Sequence, residues 1–226
     1  MKKFEHVNYD LGYVDLNTET TDTGRFYATE TGVKYPSVTT VLSILTEDAI
    51  QAWRKRVGAE EANKISHRAS TRGTAVHAII EKYIDNDESY KEDFMPNVID
   101  NFLSVKQVLD NNIGKVYAQE VALYSNHLQL AGRVDCIAEW NGRLSVIDFK
   151  TSRKIKKKEY IENYFIQESA YAIMWEERTG IPITQLVTLI AVDDEEPQVF
   201  IEHRDNYAPK LLDTIKEYKR RKLFGK

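Results

Sequence analysis

Residues 132–135 read Gly-Arg-Val-Asp, residues 146–151 read Val-Ile-Asp-Phe-Lys-Thr, and Asn-Gly at 141–142 lies between them. Asn-Gly between two alternating apolar runs is the strongest short-range signal for a β-hairpin with a two-residue turn. Counting back from this turn along both strands places Asp135 directly opposite Asp148. The sequence therefore predicts an antiparallel hairpin that brings two carboxylates together.

The predicted hairpin carries the chemistry of a cation site. Two like charges directly opposite each other destabilise a strand pair, and a carboxylate within an apolar strand is costly unless it is paired or binds a metal. A divalent cation such as Mg²⁺ or Mn²⁺ would reverse the repulsion between Asp135 and Asp148. Lys150 follows on the same face as Asp148. Solvated charges that bind nothing are the alternative interpretation of this pattern.

The composition describes an ordinary globular protein. The 226 residues fit one domain, and the mixed charge, with a net value of −4, argues against wholesale disorder. That balance gives no basic surplus of the kind that usually marks a nucleic-acid-binding protein. The single cysteine, Cys136, excludes a disulfide framework and any four-cysteine iron–sulfur cluster within the chain. We expect it to be a buried, inert thiol.

Several classes of function lack their sequence signals. The chain has no apolar run long enough to span a membrane and no signal-peptide pattern at its beginning, so we expect a cytosolic protein without a membrane partner. It also lacks the glycine-rich phosphate-binding motifs and the Gly-x-Ser-x-Gly motif. These missing motifs argue against an ATP-driven motor and a serine hydrolase, and we expect no ATP as cofactor.

Two basic runs interrupt the balanced charge. Arg153-Lys154 and Lys-Lys-Lys at 156–158 follow the hairpin directly, and a second run lies at 216–222. Lysine clusters are usually solvated surface. The first run is the better candidate for phosphate contacts, because it flanks the predicted cation site.

The periodicity of apolar residues predicts a mixed α/β or α+β fold with a central sheet and a largely helical N-terminal third. A short hairpin near the N-terminus precedes a helical run that opens at Pro36. The predicted helices are 41–45, 47–64, 74–85, 96–111, 159–179 and 209–224. The predicted strands are 25–27, 33–35, 115–124, 128–140, 143–151, 183–192 and 198–203.

Four further side chains could join the same site. His77 lies one turn into a helix and could bind metal, although a lone histidine on a helix is more often a surface or internally bonded residue. Glu120 lies on the strand beside the hairpin, where an exposed glutamate is the alternative. Gln167 and Tyr171 share a face of the helix after the hairpin, and a packed tyrosine is the alternative there.

Five motifs follow one another along the chain: Arg-Gly-Thr-x-x-His at 72–77, Glu120, Gly-Arg-Val-Asp at 132–135, Asp-Phe-Lys-Thr at 148–151 and Gln-x-x-x-Tyr at 167–171. In this order they resemble the PD-(D/E)XK nuclease superfamily, and within it the RecB-type branch. The sequence at 35–42, followed by Trp-Arg-Lys-Arg-Val-Gly at 53–58, is most similar to the mitochondrial genome maintenance exonuclease group and related phage and bacterial exonucleases. Several relatives carry four cysteines for an iron–sulfur cluster, which this chain cannot hold.

The resemblance implies a restriction-endonuclease-like core, which is a central mixed β-sheet flanked by helices. It implies a single nuclease domain over residues 1–226. Residues 1–72 would form an N-terminal hairpin and helical cover, residues 73–204 the catalytic core, and residues 205–226 a C-terminal helix.

The resemblance also implies a role for each motif residue. Lys150 would position or activate the attacking water, Glu120 would be an accessory carboxylate, and Gln167 and Tyr171 would support phosphate and lysine placement. Mg²⁺ or Mn²⁺ would be held by His77, Asp135, Asp148 and the backbone carbonyl of Phe149. Expected DNA contacts are Arg54, Arg72, Thr74, Arg133, Thr151, Ser152, Arg153 and Lys154.

The function implied is a metal-dependent DNA exonuclease that prefers single-stranded ends and acts in replication, repair or recombination. Two alternatives stay open: a structure-specific DNA endonuclease, and a non-catalytic DNA-binding subunit on the same fold. An RNA substrate is also compatible, since neither the metal nor the lysine contacts the sugar. We expect the cytoplasm of a bacterial or phage-infected cell, with a helicase or single-strand-binding protein as partner. Cleavage polarity and oligomeric state are left open.

Overall fold

The computed structural model describes residues 2–225 and contains two β-sheets flanked by helices. The strands are β1 (Asn17–Thr21), β2 (Gly24–Ala28), β3 (Lys34–Pro36), β4 (Ile113–Ser125), β5 (Leu130–Trp140), β6 (Arg143–Ser152), β7 (Gln185–Val192) and β8 (Gln198–His203). The helices are α1 (Val38–Leu42), α2 (Glu47–Val57), α3 (Ala59–Ile84), α4 (Pro96–Asn112), α5 (Glu162–Thr179) and α6 (Ala208–Phe224).

The central sheet has the strand order β4-β5-β6-β7-β8. Its pairs are antiparallel except β6–β7, which is parallel because α5 carries the chain back across the sheet. Residues of α1, α5 and α6 pack in one apolar cluster, and residues of α3 and α4 pack in a second cluster with other residues of the sheet. The predicted fold class, a central mixed sheet flanked by helices, is confirmed.

The hairpin has the register that the Asn-Gly turn predicts. Asn141 and Gly142 have φ values of +52° and +76°, as a type I′ turn requires, and Trp140 pairs with Arg143. The paired register then runs down to Cys136 opposite Ile147, one position before the two acids. The two strands therefore separate where Asp135 and Asp148 lie, which leaves room for a site between them.

Two element predictions in the N-terminal part are wrong. The single helix at 47–64 is divided at Gly58, whose φ of +87° ends α2. The helix that contains His77 begins at Ala59 rather than at Thr74, so Gly73 lies inside a 26-residue helix. The sheet at the N-terminus also has an additional strand, β1, whose side chains are all exposed and therefore show no alternation in the sequence.

Cys136 is fully buried, as the sequence predicts. Burial raises the pKa of its thiol well above the usual value, so the reactive thiolate is suppressed. Within residues 2–225, no helix combines the length and the apolar character needed to cross a bilayer.

Candidate active site

Three side chains from three elements lie together at the fork between β5 and β6, which is the point beyond Cys136 and Ile147 where the two strands separate. His77 of α3, Glu120 of β4 and Asp135 of β5 each offer one donor atom, and these atoms all lie within 4.8 Å of one another. His77 Nδ1 is 3.5 Å from Asp135 Oδ2. Two carboxylates and one imidazole at this spacing form a donor set suited to a divalent cation.

The electrostatics of this cluster favour a bound cation. Burial and the charge of Asp135 raise the pKa of the Glu120 carboxyl to about 7. The negative charges of Glu120 and Asp135 therefore repel each other when both are ionised, and a divalent cation between them would offset this repulsion. The residues present fit the Mg²⁺ or Mn²⁺ that the sequence predicts.

Asp148 and Lys150 form a second part of the site. Asp148 is 2% exposed, and its Oδ2 forms a short ion pair with the Lys150 ammonium. Gln167 Nε2 donates to the Oδ1 of Asp148 at 3.0 Å. Burial would lower the pKa of Lys150, but the charges of Asp148 and Asp135 outweigh it and raise the pKa. Lys150 is therefore a fixed positive charge, suited to positioning rather than to accepting a proton.

Glu120, predicted as an accessory carboxylate, lies within contact range of His77 and Asp135. Its backbone is left-handed, with a φ of +49°, which no sequence pattern indicates. Asp148 is engaged by Lys150 and Gln167. The ligand roles of Asp148 and of the Phe149 carbonyl stay predictions.

Sequence reasoning missed two residues of α5 beside this pair. The ring of Tyr164 lies under the Lys150 ammonium at 5.1 Å, an arrangement that stabilises a cation. Glu168 is completely buried and accepts a hydrogen bond from the Thr188 hydroxyl. Burial and the charge of Asp148 raise the pKa of Glu168 well above its usual value. Tyr164 could have been found, because positions 164, 167 and 171 share one helical face.

Tyr171 packs against Gly132 of β5, and its predicted support of the lysine stays a prediction. It is buried, and a Cβ on Gly132 would approach its Cε1 to 2.8 Å. The glycine of the Gly-Arg-Val-Asp motif is therefore needed for the close approach of this ring. The contact explains why the motif begins with glycine.

A basic cavity of about 950 Å³ opens beside the end of β6. It begins next to Lys150, because Thr151 and Ser152 line it. Five of the expected DNA contacts line this cavity: Arg72, Thr151, Ser152, Arg153 and Lys154. Further cations are Arg68 and Lys156, and the apolar lining includes Ile65, Ala69, Ala75, Met95 and Val98.

The other three expected DNA contacts, Arg54, Thr74 and Arg133, do not line this cavity, and several of the expected arginines are bonded to other residues of the chain. Arg54 donates to Asn63 Oδ1 at 2.7 Å, and Thr74 is exposed on α3. Arg133 binds Asp15 and the backbone carbonyl of Glu120. Arg72 lines the cavity but pairs with Asp193. In the described residues 2–225, the cavity cations Arg68, Arg153 and Lys154 form no ion pair with an acidic side chain.

Comparison with known proteins agrees with this geometry. A family model described as the PD-(D/E)XK nuclease superfamily matches residues 90–223. Mitochondrial genome maintenance exonuclease 1 of Xenopus tropicalis is 30% identical over 206 residues, which cover 83% of this chain and 58% of that protein. Its human counterpart is 29% identical over 129 residues, which cover 54% of this chain and 38% of that protein. The chain thus spans less than two thirds of the length of these curated relatives.

A solved structure of an exonuclease candidate from Eubacterium rectale superposes with a TM-score of 0.49 at 15% identity, over 67% of this chain and 66% of that one. The superfamily and the mitochondrial exonuclease relatives are those that the ordered motifs predict, so the predicted enzyme class is confirmed at the level of the family. The chain belongs to the PD-(D/E)XK nuclease superfamily.

Proposed function

We propose that this chain is a metal-dependent DNA exonuclease that hydrolyses phosphodiester bonds at single-stranded ends, in DNA replication, repair or recombination. The observation that carries the proposal is the meeting of two parts at one strand fork. The possible cation site of His77, Glu120 and Asp135 lies beside the buried pair of Asp148 and Lys150. Either part alone would be compatible with a structural role.

His77, Glu120 and Asp135 would hold the cation, with Asp148 and the Phe149 carbonyl as further predicted ligands. A bound Mg²⁺ or Mn²⁺ would supply a nucleophilic water near neutral pH and neutralise charge on the phosphoryl oxygens.

Lys150 would stabilise the negative charge that develops on the attacked phosphate. Its ammonium is held in place by Asp148 on one side and by the Tyr164 ring on the other. Gln167 in turn fixes the Asp148 carboxylate. The lysine is thus oriented before substrate binds.

The basic cavity beside β6 would receive the nucleic acid. Its cations, Arg68, Arg153 and Lys154 among them, would contact phosphates, and its apolar lining suits unstacked bases, which only single strands present freely. This local distribution explains how a chain with a net charge of −4 could bind DNA.

The names of the relatives support an exonuclease. Because the chain spans less than two thirds of their length, its domain organisation, location and partners are part of the proposal. We propose that residues 1–226 act as one nuclease domain, because α1 and α6 share a core cluster with α5 and the sheet. The cytoplasm of a bacterial or phage-infected cell, and a helicase or single-strand-binding protein as partner, belong to the same proposal.

Digestion of end-labelled linear single-stranded DNA, beside a closed single-stranded circle, tests the proposal in Mg²⁺ and in Mn²⁺. We expect loss of the linear strand alone, abolished in Asp148→Ala. Cutting of both would indicate the endonuclease alternative. Binding without any cutting would indicate the non-catalytic alternative.

A further inference from the structure

Glu120 has a left-handed backbone conformation inside β4, two residues after the last register shift of that strand at Val116–Ala118. Its φ is +49°, while the flanking pairs Gln119–Cys136 and Val121–Val134 keep an unbroken antiparallel register. Residues with a side chain seldom adopt this conformation, and it persists only where the surroundings enforce it. Contacts from neighbouring residues are therefore needed to keep the backbone of Glu120 in this conformation.

The bend determines where the Glu120 carboxylate points. Consecutive residues of a strand normally face opposite sides of the sheet. Here Gln119 Nε2 donates to the Glu81 backbone carbonyl at 3.0 Å, and the Glu120 carboxylate lies beside His77 of the same helix. Both side chains thus face α3, and Glu120 reaches the cation site because the strand is bent.

Arg133 contacts the backbone of Glu120 directly. Its Nη1 donates to the backbone carbonyl of Glu120, and its Nη2 lies 2.8 Å from both carboxylate oxygens of Asp15. Asp15 Oδ1 also accepts a hydrogen bond from the backbone N–H of Leu16 at 2.8 Å. Leu16 is buried, so this segment before β1 is anchored where it meets the guanidinium.

The contribution of the Asp15–Arg133 pair is orientation rather than charge. Its side chains are 53% and 35% exposed, and ion pairs with such exposure contribute little energy. A guanidinium is a rigid plane of donors, so a carboxylate on one edge fixes where the other edge points.

We propose that Arg133 and Asp15 are positioning residues of the cation site. Asp15 orients the guanidinium, the guanidinium holds the Glu120 carbonyl, and the Glu120 carboxylate is thereby kept beside His77 and Asp135. The inference rests on the proposed function, because it concerns the same site.

The test is Mn²⁺ binding to the whole chain without DNA, measured by calorimetry. We expect Arg133→Gln to weaken the affinity about tenfold or more, the scale on which residues supporting a metal site act, and Asp15→Asn to weaken it less. In a Glu120→Gln background, Arg133→Gln should have no further effect, because it acts through Glu120. The matched control is Lys34→Gln, which breaks the exposed pair with Glu19 in the N-terminal sheet and should leave the affinity unchanged.

Unchanged Mn²⁺ affinity in Arg133→Gln, with weaker binding of single-stranded DNA, would overturn the inference and mean that Arg133 contacts phosphate directly. If Arg133→Gln fails to fold, Asp15→Asn decides, because it leaves the arginine in place: a weakened Mn²⁺ affinity would support the inference, and an unchanged affinity would overturn it. If the wild-type chain binds no Mn²⁺, both the cation site and the positioning role of Arg133 and Asp15 are overturned. If the wild type binds Mn²⁺ and the variants bind it with the same affinity, only the positioning role is overturned.

Discussion

The Asp135 carboxylate accepts a hydrogen bond from the backbone N–H of Phe149 at 2.8 Å. The bond crosses the point at which β5 and β6 separate, because Asp135 lies one position and Phe149 two positions beyond the last pair, Cys136 and Ile147. Asp135 thus belongs to the cation cluster and also joins the two strands beyond their last pair. Substitutions of Asp135 should therefore affect the stability of the fold and the nuclease activity to different extents.

We expect Asp135→Asn to keep the stability of the fold to within about 1 kcal/mol, because its amide oxygen can still accept from Phe149. Asp135→Ala should lose about 1–2 kcal/mol, since it leaves the buried N–H without a partner. Both variants should lose nuclease activity. Urea unfolding beside an activity assay separates the two effects, and equal stability of both variants would mean that the bond to Phe149 is unimportant.

Replacing Lys150 should remove catalysis and leave the fold intact. In Lys150→Met we expect activity to fall about 100-fold or more, the usual effect of removing a group that stabilises transition-state charge. The control is Lys34→Met, which breaks an exposed pair with Glu19 in the N-terminal sheet and should change kcat less than twofold. Near wild-type kcat in Lys150→Met, at saturating Mn²⁺, would refute the role assigned to the lysine.

The stability of the cation-free protein should depend on pH through Glu120. Its folded-state pKa of about 7 lies above the usual 4.5, so the folded chain retains a proton that the unfolded chain has released. Stability should therefore fall as the pH rises from 4.5 through 7. Urea unfolding in EDTA, at a series of pH values, measures this decline. The decline should be smaller in Glu120→Gln, and an identical pH profile in that variant would exclude Glu120 as its source.

Gly132→Ala should destabilise the fold by about 1–3 kcal/mol, because the added methyl would overlap the buried ring of Tyr171. Gly73→Ala is a matched control, since Gly73 lies in a helix with an atom no nearer than 3.9 Å to the added methyl. That variant should be neutral or up to about 1 kcal/mol more stable. Thermal unfolding of the two variants measures the difference, and a harmless Gly132→Ala would remove the reason given for this glycine.

The basic cavity predicts a specific salt dependence of DNA binding. Removing Arg153 and Lys154 together should reduce the slope of log affinity against log salt by about 1.4 for single strands, if each contacts one phosphate. The control, Lys216→Ala with Lys219→Ala, removes the same charge from α6 and should leave the slope unchanged. Fluorescence anisotropy with a labelled oligonucleotide in EDTA measures both. Equal slopes for the two double variants would place the DNA elsewhere.

The sequence predicted the hairpin correctly because its register depends on one local signal, the Asn-Gly turn, and on strict alternation along the strands. It also named Glu120 as a residue that could join the site, but it could not predict the left-handed backbone at Glu120, because the contacts from Arg133 and Asp15 come from distant segments. The break at Gly58 was missed because helical periodicity continues on both sides of it. Arg68 of α3 lines the same cavity as Arg153 and Lys154, because α3 packs near the end of β6. No local sequence pattern predicts this contact between distant segments.

The most direct test of the central claim is a titration of Mn²⁺ in which site occupancy and cleavage of linear single-stranded DNA are measured on the same samples, with Asp135→Asn beside wild type. The account predicts that cleavage rises in parallel with occupancy in the wild type and that the variant loses both. Cleavage at the wild-type rate in Asp135→Asn, or in wild type with the cation removed by EDTA, would contradict it.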